Sequence, residues 1–185
     1  MFPGKLAKEQ LLAYTTAAVP HEAGHILIGR MAGLPVRALD HFVIRGSDEE
    51  ILPGNFATVG VAPMSSAAVV MTPKPVLVAF ALFCAGGLAG NLVAHIPAEE
   101  YGLQKDRTDL ALVTTASLEE VAERAVSRIE EESETFQKLR EAIKSSYEAL
   151  ISDPNVKAGR HSILTAYQLD AIVPQNKTSF PMLFH

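Results

Sequence analysis

The chain has 185 residues, of which 48% are hydrophobic and 20% charged, so it has enough apolar material for one buried core. Its 16 Lys and Arg against 21 Asp and Glu give a net charge of −5, which argues against a general nucleic-acid binder, since such proteins carry a basic patch. A single cysteine excludes an internal disulfide and a zinc site built on several cysteines.

The predicted elements begin with helices and a hairpin. Residues 5–18 have a helical pattern, and Pro20 removes a backbone donor, so we expect this helix to break there and a second helix to run over residues 20–32. Residues 36–45 are rich in β-forming residues and predict a strand. We expect this strand to pair with a second one over residues 56–61 as a hairpin.

An uncharged segment follows, over residues 76–96, and its length would be sufficient to cross a bilayer. It contains three glycines, an asparagine and a histidine, which are unusual in number for a bilayer-spanning helix. We therefore expect a buried core helix, which is typically apolar on all sides. Because the amino terminus also lacks the apolar stretch of a signal peptide, a cytoplasmic protein is expected.

The part of the chain after this segment is predicted to be helical. We expect residues 98–108 to form a polar connection and a helix to begin at about Asp109. Ser117 and Glu120 have the spacing of a capping box. Beyond them, apolar residues recur at helical spacing, which predicts either one long helix or two antiparallel ones.

These elements predict an α+β fold that is predominantly α-helical, with a small β-hairpin or sheet. We expect a single domain over residues 1–174, in which residues 1–115 carry the chemistry and residues 116–174 form a helical half. The domain would end in a short helix over residues 162–172, and residues 175–185 are expected to be a loose tail.

The segment with the clearest chemistry is His21-Glu22-Ala23-Gly24-His25. Residues four apart on a helix lie on one face, so both imidazoles can bind a single ion, and imidazole nitrogen is a preferred zinc ligand. Glu22 is placed to take a proton from a zinc-bound water, whose pKa zinc lowers to about 7. The pattern predicts a zincin-like HExxH helix. The other interpretation is a helix whose histidines cap it or line a core.

A third protein ligand is needed, because two histidines and a water leave one position of a tetrahedral zinc ion open. An acidic residue such as Asp109 also has a simpler interpretation, since a carboxylate at a helix start interacts favourably with the helix dipole. The residues by themselves leave eight downstream candidates: Asp40, His41, His95, Glu99, Glu100, Asp106, Asp109 and His161.

Four segments resemble, in order, the peptidase domain of the FtsH family of zinc-dependent, ATP-driven membrane proteases. They are HEAGH, the following edge strand VRALDHFVIRG, the segment LFCAGGLAGNL, which is similar to the family's glycine-rich helix, and RTDLALVT, which is similar to its Asn-Asp-Leu segment. The resemblance covers residues 13–115. It implies that His21 and His25 are zinc ligands, that Glu22 is the catalytic base and that Asp109 is the third ligand.

The chain departs from the family in several places. Gly90-Asn91 stands where the family usually has two glutamates, and Pro20 stands where it tends to have a bulkier residue. No Gly-x-x-x-x-Gly-Lys-Ser/Thr motif is present, so we expect no nucleotide binding and no ATPase module. We also expect no membrane anchor before the domain, and therefore a stand-alone peptidase domain.

The resemblance implies a zinc metalloendopeptidase that hydrolyses unstructured or extended polypeptides. Its partners would be the polypeptide substrate, a separate ATPase chain as unfoldase, and further copies of itself in a ring. If the strand over residues 36–45 is an edge, it would align the substrate by strand addition. Two other functions stay open: a catalytically inactive metal-binding or assembly module of the same fold, and a membrane-embedded zinc protease of the site-2 type.

Overall fold

Helices dominate the described part of the chain, which also contains four short strands. The computed structural model describes residues 8–45, 51–52, 56–59, 72–98, 100–153, 155 and 157–180. Its elements in chain order are α1 (Lys8–Met31), β1 (Ala38–Arg45), β2 (Ile51–Leu52), β3 (Phe56–Val59), α2 (Lys74–Ala94), α3 (Glu100–Ala111), α4 (Leu118–Glu131), α5 (Ser133–Ser152), β4 (Gly159–Leu164) and α6 (Ala166–Ile172). The expected α+β fold that is predominantly α-helical is confirmed.

β1 is the central strand of a small antiparallel sheet. It pairs with β3, as the predicted hairpin requires, and with the short β2 near its end. β4 pairs with its other side, so that His41 of β1 is opposite both Phe56 of β3 and His161 of β4. The prediction of an edge strand here is therefore wrong, because backbone hydrogen bonds occupy both sides of β1 and leave no free side for an added substrate strand.

α1 continues without interruption through Pro20, so the predicted break between two helices is wrong. The reason is close packing against α2 over the same turns. A Cβ atom added to Gly24 would lie 2.0 Å from the carbonyl oxygen of Gly86, and one added to Gly90 would lie 2.1 Å from that of Pro20. The two backbones are in direct contact because these positions have no side chains, and this packing outweighs the hydrogen bond that the proline cannot make.

α2 packs against α1, α3 and α4. Among the described residues it is the one helix whose length and composition would allow it to cross a membrane, and 61% of its most apolar 18-residue stretch is buried inside the fold. This agrees with the expected core helix. The side chains of α2 contribute to the main hydrophobic cluster together with those of α1, α4 and α5.

The helical half contains two helices, a strand and a short final helix. α4 begins with the predicted capping box, in which the Ser117 side chain accepts from the Glu120 N–H and the Glu120 carboxylate accepts from the Ser117 N–H. Glu132 separates α4 from α5, so the apolar stripe belongs to two helices. The predicted helix from Ser162 is wrong in its first part, which belongs to β4; Thr165 then caps α6.

Arg30, in the last turn of α1, connects that helix to the C-terminal part of the chain. Its side chain is 2% exposed. Nε donates to the Val36 carbonyl at 3.0 Å, and Nη1 donates to the Val173 carbonyl at 2.5 Å and to the Asp170 carboxylate at 2.7 Å. A buried guanidinium thus satisfies two backbone carbonyls from distant parts of the chain.

The first residues of the predicted loose tail also bind the end of α1. Gln175 Nε2 donates to the Leu34 carbonyl at 2.7 Å, and Asn176 Nδ2 donates to the Met31 carbonyl at 3.2 Å. The prediction of a loose tail is therefore wrong for these residues, and residues 181–185 lie outside the described part of the chain.

Candidate metal centre

His21 and His25 lie one turn apart on α1, and their Nε2 atoms are 3.1 Å from each other. Asp106 of α3 lies against both rings, with Oδ2 3.4 Å from His21 Nε2 and Oδ1 3.4 Å from His25 Nε2. A tetrahedral zinc ion with bonds of about 2.0–2.1 Å holds its ligand atoms about 3.3 Å apart. The three side chains therefore have the spacing of ligands around one such ion.

The other nitrogen of each ring is bound to an acceptor. His25 Nδ1 is 2.6 Å from the Phe83 carbonyl oxygen, which can only accept a hydrogen bond. Asn91 Nδ2 donates to the Ala17 carbonyl at 2.9 Å, so its Oδ1 is the atom that lies 3.2 Å from His21 Nδ1. Both rings consequently carry hydrogen on Nδ1, and a neutral ring then presents an unprotonated Nε2 to the other ligands.

Asp106 brings an unpaired acceptor to the same place. The residue is 7% exposed, and its buried Oδ2 has no hydrogen-bond partner among the described residues. Buried polar atoms are nearly always paired, because leaving one without a partner costs about 1–3 kcal/mol. Two imidazole nitrogens and a carboxylate thus face one another, and this donor set fits a divalent cation such as zinc.

The charges of these groups are strongly coupled. Burial, and then the charge of His25, lower the pKa of His21 to about 4. Burial by itself would lower the pKa of His25 as well, but the Asp106 carboxylate raises it to about 9. Burial opposes ionisation of Asp106 too, yet the charge of His25 keeps its pKa below the usual value. These directions favour a protonated His25 beside an ionised Asp106 in the metal-free protein, and a bound cation would displace that proton.

Glu22 is buried on α1 directly beside His21. Burial raises the pKa of its carboxyl to about 7, the charge of His25 lowers it, and that of Asp106 raises it further. A carboxyl group that titrates near neutral pH can both accept and return a proton, which is the requirement for a general base that later acts as an acid.

Glycine residues make room for the two rings. A Cβ atom added to Gly87 of α2 would lie 2.4 Å from His21 Cε1 and 2.6 Å from the Nε2 atoms of both His21 and His25. The imidazoles therefore occupy the space that a side chain at this position would take. Gly102 of α3 is less restricted, since its added Cβ would lie 3.4 Å from the His21 ring, which is an ordinary contact distance.

The structure brings Asp106, and not Asp109, to the histidines. The Asp109 carboxylate instead binds Lys105, with 2.5 Å between Oδ2 and Nζ. The prediction that a helix begins at Asp109 is also wrong, because α3 begins at Glu100 and Asp109 lies near its end. The helix-dipole interpretation of Asp109 fails for the same reason.

A sequence signal for Asp106 existed but depended on predicting α3. Leu103, Asp106 and Leu110 are buried in this helix, and their spacing of three and four residues places them on one face. The prediction of a polar connection over residues 98–108 is wrong, because residues 100–111 form a helix and this stripe is its inner face.

None of the other candidates that the structure describes belongs to the cluster. Glu99 lies outside the described residues. The remaining candidates have other contacts or are exposed: Asp40 with Arg160, His41 with Tyr147, Glu100 with Arg107, His161 with the Lys157 carbonyl, and His95 exposed at the end of α2.

No family model, curated protein or solved structure matches this chain. Its function is therefore inferred from the residues of the site and their geometry.

Proposed function

We propose that the protein is a zinc-dependent metallopeptidase that hydrolyses unstructured or extended polypeptides. One observation carries this proposal. The Nε2 atoms of His21 and His25 and the carboxylate of Asp106 are 3.1 and 3.4 Å apart, while both Nδ1 atoms are bound to acceptors. These three side chains would hold the ion, and Glu22 would act as the base.

Each residue has a defined part in peptide hydrolysis. Zinc, when bound at such a site, polarises a carbonyl group and makes water acidic near neutral pH. The Glu22 carboxylate takes the proton of the attacking water and then delivers it to the nitrogen of the leaving amine. The Phe83 carbonyl accepts a hydrogen bond from Nδ1 of His25, which leaves Nε2 of that ring free for the ion.

We also propose that the protein is cytoplasmic. A separate ATPase chain would unfold its substrates, and several copies of the protein would assemble into a ring. The extensive burial of α2 supports a protein that functions without a bilayer. The one cysteine, Cys84, is free and buried, which is compatible with a reducing compartment. Extraction of the native protein without detergent would agree with this location, and a requirement for detergent would favour the membrane-embedded protease.

Metal analysis and cleavage assays on the same preparation test the function. We expect about one zinc per chain and cleavage of casein that stops with a chelator and returns with added zinc. Glu22→Gln should keep the zinc and lose turnover. Glu123→Gln makes the same chemical change on the exposed face of α4 and should keep both.

The possible results separate the competing functions. A protein that neither contains nor binds zinc would refute the metal site. Retained zinc without cleavage of casein or any tested peptide would favour the inactive metal-binding or assembly module. Normal turnover of Glu22→Gln would show that this carboxylate is not the base.

A further inference from the structure

The Asn91 side chain contacts α1 at two positions, the Ala17 carbonyl and the His21 ring. It lies on α2 and is 1% exposed. Its Nδ2 donates to the Ala17 carbonyl on α1 at 2.9 Å, and its Oδ1 is 3.2 Å from His21 Nδ1. Because a backbone carbonyl can only accept, the amide has one orientation that satisfies both contacts.

We propose that Asn91 is a positioning residue that keeps His21 in the Nδ1–H tautomer and so directs the Nε2 lone pair toward the metal. This inference rests on the proposed metal site. A neutral imidazole has two tautomers, and the one with hydrogen on Nε2 has no lone pair there for an ion. The direction of the Asn91 amide, set by Ala17, excludes that tautomer for His21.

The two histidines differ in how their tautomer is maintained. His25 Nδ1 is bound to a backbone carbonyl, that of Phe83, which no side-chain substitution removes. His21 depends on the side chain of Asn91. A single substitution can therefore release one ligand of the pair while the other keeps its orientation.

Two substitutions distinguish positioning from packing. Asn91→Leu has a similar volume but loses both hydrogen bonds. Asn91→Asp keeps an acceptor for His21, but it loses the donor to the Ala17 carbonyl and adds a buried carboxyl group. Asn176→Leu is the matched control, because Asn176 also donates from Nδ2 to a carbonyl of α1, that of Met31, the last residue of the helix.

Zinc affinity, measured by competition with a chromophoric chelator, is the first readout. Removal of an outer hydrogen-bond partner of a ligating histidine typically weakens metal binding about 10–100-fold, and we expect this loss for Asn91→Leu. Asn91→Asp should stay within about tenfold of the wild type, and Asn176→Leu should not differ from it. A packing role predicts the opposite order for the two Asn91 variants, because a buried carboxylate is costlier than a leucine.

The second readout does not need the metal. Long-range ¹H–¹⁵N NMR spectra of the zinc-free protein, recorded at an alkaline pH at which the spectra show both rings to be neutral, report the tautomer of each ring. We expect His21 to carry hydrogen on Nδ1 in the wild type and in Asn91→Asp, and to lose this preference in Asn91→Leu. His25 should keep the Nδ1–H form in all three proteins.

The proposal is overturned if Asn91→Leu keeps both the wild-type zinc affinity and the Nδ1–H tautomer of His21. Should Asn91→Leu not fold, Asn91→Asp decides, because loss of the tautomer in that variant would contradict the proposal and its retention would support it. A wild-type protein that binds no zinc would refute the proposed function, while the NMR result would still decide whether Asn91 orients His21.

Discussion

Asp106 and Asp109 lie three residues apart on α3, and their carboxylates contact different partners. Asp106 lies 3.4 Å from both imidazoles, whereas Asp109 is 2.5 Å from the ammonium group of Lys105. The charge of Lys105 also contributes to the low pKa of Asp106. Asp109 therefore partly neutralises Lys105, whose charge lowers the pKa of Asp106, while Asp106 itself lies against the two histidines.

This difference predicts unequal effects of removing the two carboxylates. Loss of an outer hydrogen-bond partner of a metal ligand weakens metal binding by up to roughly 100-fold. Asp106→Ala removes a candidate ligand itself, so we expect it to weaken zinc binding by more than this. Asp109→Ala should leave zinc binding within about tenfold of the wild type. Isothermal titration with zinc compares the two variants directly.

Equal losses of zinc affinity in the two variants would contradict the assignment of Asp106, and not Asp109, as the ligand. A larger loss for Asp109→Ala would restore the ligand that the family resemblance implies. Circular dichroism of both proteins controls for a general loss of structure.

Gly87→Ala should abolish zinc binding, because its Cβ would lie 2.4–2.6 Å from ring atoms of His21 and His25 and must displace them. Gly102→Ala is the matched control. Its Cβ meets the His21 ring at 3.4 Å, and alanine is favoured over glycine in a helix by about 1 kcal/mol. We expect this variant to bind zinc normally, with a melting temperature that is unchanged or higher. Zinc binding by Gly87→Ala at wild-type affinity would contradict the described placement of the rings.

Arg30→Met should destabilise the fold by at least about 2 kcal/mol, because the carbonyls of Val36 and Val173 would each lose a buried donor at about 1–3 kcal/mol. Urea denaturation measures this change in the free energy of unfolding. Asp170→Asn removes only the charge of the partner carboxylate, which is 59% exposed, and should cost less than about 1 kcal/mol. Equal losses would mean that the ion pair, rather than the two carbonyl contacts, explains the role of Arg30.

His41 should make the fold sensitive to acid. Burial, and then the charge of His161, lower the pKa of His41 to about 4 in the folded protein, against about 6.5 in the unfolded chain. The unfolded chain therefore binds more protons, so the stability that the neutral ring contributes is complete above about pH 6.5 and is lost as the pH falls toward about 4. His41→Gln keeps a polar group for Tyr147 and removes this titration.

Melting temperatures of the zinc-free wild type and of His41→Gln, each at about pH 7.5 and about pH 5, test this assignment. We expect a smaller acid-induced decrease in the variant. The shifted pKa of His21 acts in the same direction but is present in both proteins, so the difference between them reports His41. An equal decrease in both proteins would contradict the prediction.

Local spacing in the sequence was sufficient to predict several features. The four-residue interval places His21 and His25 on one face of α1, and the three-residue interval between Ser117 and Glu120 produces the capping box. The hairpin of β1 and β3 and the core helix α2 were also predicted correctly. Each of these depends on the period of one element or on the pairing of neighbours in the chain.

Tertiary packing decided the rest. The contact of α1 with α2 keeps the helix continuous through Pro20, and the arrival of β4 from the C-terminal half makes β1 a central strand. The choice of Asp106 depends on where α3 begins and how it faces α1, because each residue along a helix turns the side chain by about 100°. Sequence spacing determines which residues share a face, but the packing of distant elements determines what that face meets.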